Sequence, residues 1–181
     1  MPVRPAAAAA LATLLLALGL AARPGPAVAQ AAARPAAAPL AATAPSLAGP
    51  TLEGQSFDVA RLRGKVVLVM FWSTACAVCR DKMPELRQNA AGWAGQPFEL
   101  VLVSNDRQVA DVQAYDAILA RTVPFAQRFV QLWAGAPGFR SGFGTPGALP
   151  AGFLIDKTGR VVERYQGRIP AEAWDRIADL L

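Results

Sequence analysis

At 181 residues, 54% of them apolar, the chain has room for one domain of ordinary size plus extensions. It contains no histidine, which removes His-based catalytic triads, zinc-hydrolase sites and any mixed Cys/His metal centre. Its 18 basic and 13 acidic residues give a net charge of +5, but the basic residues are scattered, with no block and no aromatic interleaving, so nothing points to nucleic acid.

Residues 1–29 read as a secretory signal peptide. Arg4 charges the short leading region, Ala6 to Ala22 is an apolar run broken by Thr13 alone, and Ala27-Val28-Ala29 has the small-residue pattern of a cleavage site. The other reading is a retained membrane anchor, for which about 20 apolar residues are needed. Loss of Arg4 and Arg23 with the signal would leave 16 basic against 13 acidic residues, a net charge of +3. Residues 30–45 are alanine and proline around a single Arg34, without apolar periodicity, and read as a flexible linker. The folded domain is expected over 46–181, long enough for a sizeable core.

In that domain, Leu52–Lys65 carries a Glu53-Gly54 turn and a short alternating stretch, which predicts a small leading hairpin. Val66–Trp72 (VVLVMFW) is a continuous, largely β-branched apolar run bounded by Gly64 and Ser73, the pattern of a strand buried on both faces. From Cys76 the period becomes helical. Met83, Leu86, Ala90 and Trp93 share one face, and Pro84 is expected to kink the helix.

Phe98–Ser104 predicts a second strand, parallel to the first through a right-handed crossover. Val112, Tyr115 and Leu119 mark a second helix. Arg128–Trp133 fits a strand or a helical extension, and the glycine-rich stretch after it reads as loop. Gly152–Tyr165 predicts a hairpin turning at Lys157-Thr158-Gly159. Pro170 opens a last helix with Trp174, Ile177, Ala178 and Leu181 expected to face inward. The order is β-α-β-α, then β-β-α, an α/β fold.

The only two cysteines, Cys76 and Cys79, stand two residues apart at the first strand-to-helix junction. Cys76 is expected at the helix N-terminus, where unpaired N–H groups and the helix dipole favour an anion. A thiolate is the attacking species in disulfide exchange, so that placement activates Cys76, and Cys79 one turn deeper could close a disulfide and release a bound partner. Arg80 and Lys82 add positive charge in the same turns. Three other chemistries stay open for the pair. One is a structural disulfide, although so small a loop adds little stability. The others are a two-thiolate copper(I) site and a peroxidatic cysteine. No further Cys or His is present to complete a larger metal site, and no cofactor is called for.

GKVVLVMFWSTACAVCRDKMPEL (64–86) and LPAGFLIDKTGRVV (149–162) together resemble exported thioredoxin-like thiol–disulfide oxidoreductases of the TlpA/ResA/CcmG type. The similarity runs from about Pro50 to Leu181. It implies a thioredoxin fold with a central mixed sheet and flanking helices, and a Cys76–Cys79 redox pair. It further implies a cis Pro150 whose neighbour Leu149 pairs with a substrate strand beside Cys76.

The resemblance also implies a periplasmic reductant of disulfide-containing exported proteins, apocytochrome c among them, re-reduced by a membrane thiol donor. Gly167 matches a small residue kept beside such sites. The chain departs from the pattern at several positions. Ala75 stands where tryptophan is usual, Ala77-Val78 fills the gap between the cysteines, Met70 takes a position often held by aspartate, and Lys82 one often held by glutamate. Asp81 and Glu85 read as solvated helix residues. With that much altered, the same residues could also run as a disulfide oxidase or isomerase, or serve a non-catalytic module that binds copper(I) or a client.

Overall fold

The computed structural model describes residues 45–181, so the expected signal segment and all but the last residue of the expected linker lie outside the described residues. In chain order the elements are β1 (Leu47–Pro50), β2 (Ser56–Asp58), β3 (Val66–Trp72), α1 (Ala77–Gly92), β4 (Phe98–Ser104), α2 (Val109–Thr122), β5 (Val130–Trp133), β6 (Arg140–Ser141), β7 (Ala151–Ile155), β8 (Val161–Gln166) and α3 (Glu172–Leu180).

Every residue of β3 is buried, as its unbroken apolar run requires of a central strand. It lies third in a five-stranded sheet ordered β5-β4-β3-β7-β8. β3, β4 and β5 are parallel, whereas β7 and β8 run antiparallel to their neighbours, giving the mixed sheet. Alternate β3 side chains serve two apolar layers. Leu68, Met70 and Trp72 pack with Met83 and Leu86 of α1, Val112 of α2, and Ala173 and Ile177 of α3. Val67, Val69 and Phe71 pack on the other face with Leu47, Val101, Leu132 and Phe153.

The Glu53-Gly54 turn forms as expected, with Gly54 in the left-handed region at φ 79°. The hairpin's first strand, β1, however, lies before the expected span 52–65 and pairs with β2, and Val59–Leu62 is a 3-10 turn. Beyond it, Leu52 N–H donates to Gln131 O at 2.9 Å, so the chain covers the outer edge of β5. Within the stretch Arg128–Trp133 the strand β5 spans Val130–Trp133, and the glycine-rich stretch that read as loop contributes β6, which pairs with Leu47 and Ala48.

α1 runs continuously through Pro84, which has no N–H for the Arg80 carbonyl one turn back. The inward face of α3 differs by one position from expectation. Ala173 and Ile177 are buried, while Ala178 is exposed. Residues four apart share a helix face, and Ala178 sits about 100° round from Ile177.

Candidate active site

The parallel strands β3 and β4 end level, Trp72 opposite Ser104, and their carboxyl ends carry the loops that build the site. After β3 the chain makes a tight turn, with Cys76 N–H donating to Ser73 O at 3.1 Å, and enters α1. Cys76 is the N-cap, in extended backbone, and its Sγ accepts from Cys79 N–H at 3.1 Å. The two cysteines are joined as a disulfide, with Cα atoms 5.2 Å apart.

Their surroundings are unequal. Cys79, in the first turn of α1, is completely buried, whereas Cys76 is only half-buried between exposed Ala75 and Ala77. An incoming thiolate can therefore reach Cys76 but not Cys79. In the reduced form the same amide and the helix dipole favour a thiolate at Cys76.

The opposite wall comes from β7. Phe71 pairs with Ala151, which sets Pro150 at the end of β3 from which the cysteine loop departs. The Leu149–Pro150 peptide bond is cis, and Pro150 O accepts from Gly167 N–H at 2.8 Å. Gly167 adopts φ 77°, a conformation that disfavours any side chain, as the chain leaves β8. Cys76 and Leu149 pack against the same apolar cluster, so the residues singled out from the sequence gather at one end of the sheet.

The charged residues of α1 are not all solvated. Lys82 is 5% exposed, and its Nζ bonds Glu85 Oε2 at 2.7 Å. The other oxygen of Glu85 accepts from Trp174 Nε1 at 2.7 Å. Bonding to Lys82 holds the Glu85 carboxyl below its ordinary value; partial burial opposes this, and the Trp174 indole reinforces it. Glu85 is thus a bridge between α1 and α3 rather than a free surface acid. Met70 is fully buried in the apolar cluster, so its strand position offers no proton acceptor.

Asp106, which the sequence reading did not single out, is 9% exposed just beyond β4. Its carboxylate accepts from Thr74 N–H at 2.9 Å, from Thr74 Oγ1 at 2.8 Å and from Ser104 Oγ at 2.8 Å. Its backbone carbonyl accepts from Trp133 Nε1 at 2.8 Å. An acid two residues past a polar strand end was the available signal. Its partner Thr74 lies 32 positions away and could not be read from spacing.

Comparison with known proteins agrees with this geometry. The model of the AhpC/TSA family matches residues 40–166. Thiol-disulfide oxidoreductase ResA of Bacillus thuringiensis (strain Al Hakam) is 30% identical over 124 residues, covering 68% of each chain. The protein of the same name from Geobacillus thermodenitrificans is 28% identical over 130 residues, 72% of this chain and 71% of its own. A solved thiol:disulfide interchange protein of the thioredoxin family from Chlorobium tepidum superposes with a TM-score of 0.59 at 27% identity, over 80% of this chain and 97% of that one. The fold class expected from the sequence, a thioredoxin-like mixed sheet with flanking helices, is the one found.

Proposed function

We propose, for a chain that belongs to the AhpC/TSA family, that it is an exported thiol–disulfide oxidoreductase that reduces disulfides of partner proteins in the periplasm. The observation that carries this reading is the asymmetric Cys76–Cys79 pair, with the first sulfur reachable at a helix N-terminus and the second buried one turn deeper. A structural staple has no need of such a difference in access.

In the reducing direction, the Cys76 thiolate attacks one sulfur of a partner disulfide. A mixed disulfide forms and the partner's other sulfur leaves as a thiolate. Cys79 then attacks Cys76, breaks the mixed disulfide and gives up its proton to the departing partner sulfur. Two electrons and one proton have passed to the partner, whose first thiolate takes its proton from water, and Cys76–Cys79 is oxidised. A dithiol donor at the membrane restores it. Leu149, beside cis-Pro150, is the residue assigned to pair with the client strand.

The reducing direction and a client class of apocytochrome c type rest on the resemblance to ResA-like proteins. Export rests on the signal-like segment 1–29, and retention of that segment would tether the domain to the membrane. Among the described residues no helix is long and apolar enough to cross a membrane.

The test of direction is the reduction potential, measured by equilibration with glutathione. A value toward the thioredoxin end of the scale, about −270 mV, is expected of a reductant. A value near about −120 mV would reassign the protein as an oxidase.

A further inference from the structure

We infer that Asp106 is a positioning residue for Cys76, and that it acts chiefly in the reduced state. The inference rests on the reading of Cys76 as the attacking thiolate.

The residues that deliver Cys76 to the helix are Ser73, Thr74 and Ala75, and the turn closes through Cys76 N–H to Ser73 O. Thr74 is the second residue of that turn, and its polar groups are held from two sides. Its N–H and hydroxyl are bonded to the Asp106 carboxylate, while its carbonyl accepts from the Arg80 guanidinium. Asp106 is itself fixed at both ends, by Ser104 Oγ and by the Trp133 indole on its carbonyl. The turn is thereby tied to the ends of β4 and β5, not only to its own helix.

In the oxidised form the covalent bond to Cys79 also holds Cys76 in place. Reduction removes that bond. The loop is then held by Thr74 between Asp106 and Arg80, by the turn bond of Cys76 itself, and by Arg80 N–H on the Cys76 carbonyl at 3.1 Å. Cys76 Sγ stays within reach of Cys79 N–H only if the loop keeps its place. Asp106 therefore stabilises the dithiol form more than the disulfide form.

Charge acts in the opposite sense. The ionised groups around the loop are Asp106 beneath it, Arg80 on α1, and Arg107 and Asp111, which line the groove beside Ser73–Ala75. A carboxylate near a thiolate disfavours it, so if Asp106 acted by charge alone its removal would help Cys76. The sign of the effect separates the two roles.

The experiment compares wild type, Asp106→Ala and Thr74→Val for reduction potential and for the rate of Cys76 alkylation by iodoacetamide. Thr74→Val keeps every charge and the backbone N–H but loses the hydroxyl bond to Asp106. Positioning predicts that Asp106→Ala slows alkylation about tenfold and, because tenfold in the equilibrium is about 30 mV for two electrons, moves the potential about 30 mV more negative. Thr74→Val moves both in the same direction by less.

A potential that stays put or turns more positive in Asp106→Ala overturns the inference, as does an unaltered Thr74→Val. If Asp106→Ala does not fold, Thr74→Val decides by the same sign. Should wild-type Cys76 itself react like an unactivated thiol, the reading of the site fails, a result distinct from an activated wild type with unaltered variants.

Discussion

The indole Nε1 of Trp174 donates to Glu85 Oε1 across 2.7 Å, while the other oxygen of that carboxylate holds Lys82 Nζ at 2.7 Å. One side chain thus fastens the C-terminal helix to the helix that carries both cysteines and gives the nearly buried Lys82 its ionic partner. Trp174→Phe keeps the ring packing on Trp93 and removes the bond. A loss of about 1–2 kcal/mol is expected in urea unfolding, toward the low end because Glu85 is partly exposed. An unaltered midpoint would mean that the bond is idle.

The same carboxylate sets an acid limit on stability. Its folded-state pKa lies below the ordinary 4.5, first because of Lys82. Folding therefore favours the ionised form, so the contribution is present above 4.5 and is lost as the pH falls through the lowered value. Asp156 behaves likewise below 3.8. Burial would raise it, but hydrogen bonds from Thr158 and Arg160 outweigh that and hold it down. Glu85→Gln should flatten the stability profile below about pH 4.5, and Asp156→Asn should do so in a more acidic window. Unfolding midpoints measured from pH 3 to 7 decide it; profiles parallel to wild type would contradict the assignment.

Gly135 tests the support beneath Asp106. A Cβ at this position would lie 2.4 Å from the Trp133 ring, the same indole that donates to the Asp106 carbonyl. A rigid ring cannot yield as the end of a long side chain can, so Gly135→Ala must shift it. Destabilisation of about 1–3 kcal/mol is expected, with altered Trp133 fluorescence. A variant with wild-type stability and spectrum would show that the ring has room.

Much of the fold was legible because its signals are local. The apolar run 66–72, the change to a helical period after Cys76 and the turn at Lys157-Thr158-Gly159 each sit within a few residues, and each element formed where it was read. The cysteine pair was legible for the same reason, since a strand-to-helix junction fixes which sulfur meets the helix end.

What escaped depends on distant partners. β6 is two residues long and exists only because Leu47 and Ala48 lie beside it. Glu85 looked like a surface acid because Trp174 is 89 positions away. Asp106 was not singled out for the same cause, its partner Thr74 lying 32 positions away. Ala178 was misplaced because alanine, small and weakly apolar, marks a helix face poorly, and the stronger residues Ile177 and Trp174 fix the face.

The proposed order of attack predicts which variant captures clients. Cys79→Ser keeps the reachable nucleophile and removes the resolving thiol, so mixed disulfides with exported proteins should accumulate on non-reducing gels. Cys76→Ser leaves only a sulfur that is fully buried in the folded protein and should trap none. Equal trapping by both variants, or by neither, would contradict the assigned roles.

The most direct measurement is the pH dependence of iodoacetamide alkylation in the reduced protein, with the modified cysteine identified by mass spectrometry. A helix N-cap thiol accepting from the Cys79 amide should titrate well below the free-thiol value of about 8.5, and Cys76 should be alkylated ahead of Cys79. Titration near about 8.5 with no preference between the two sulfurs would contradict the account.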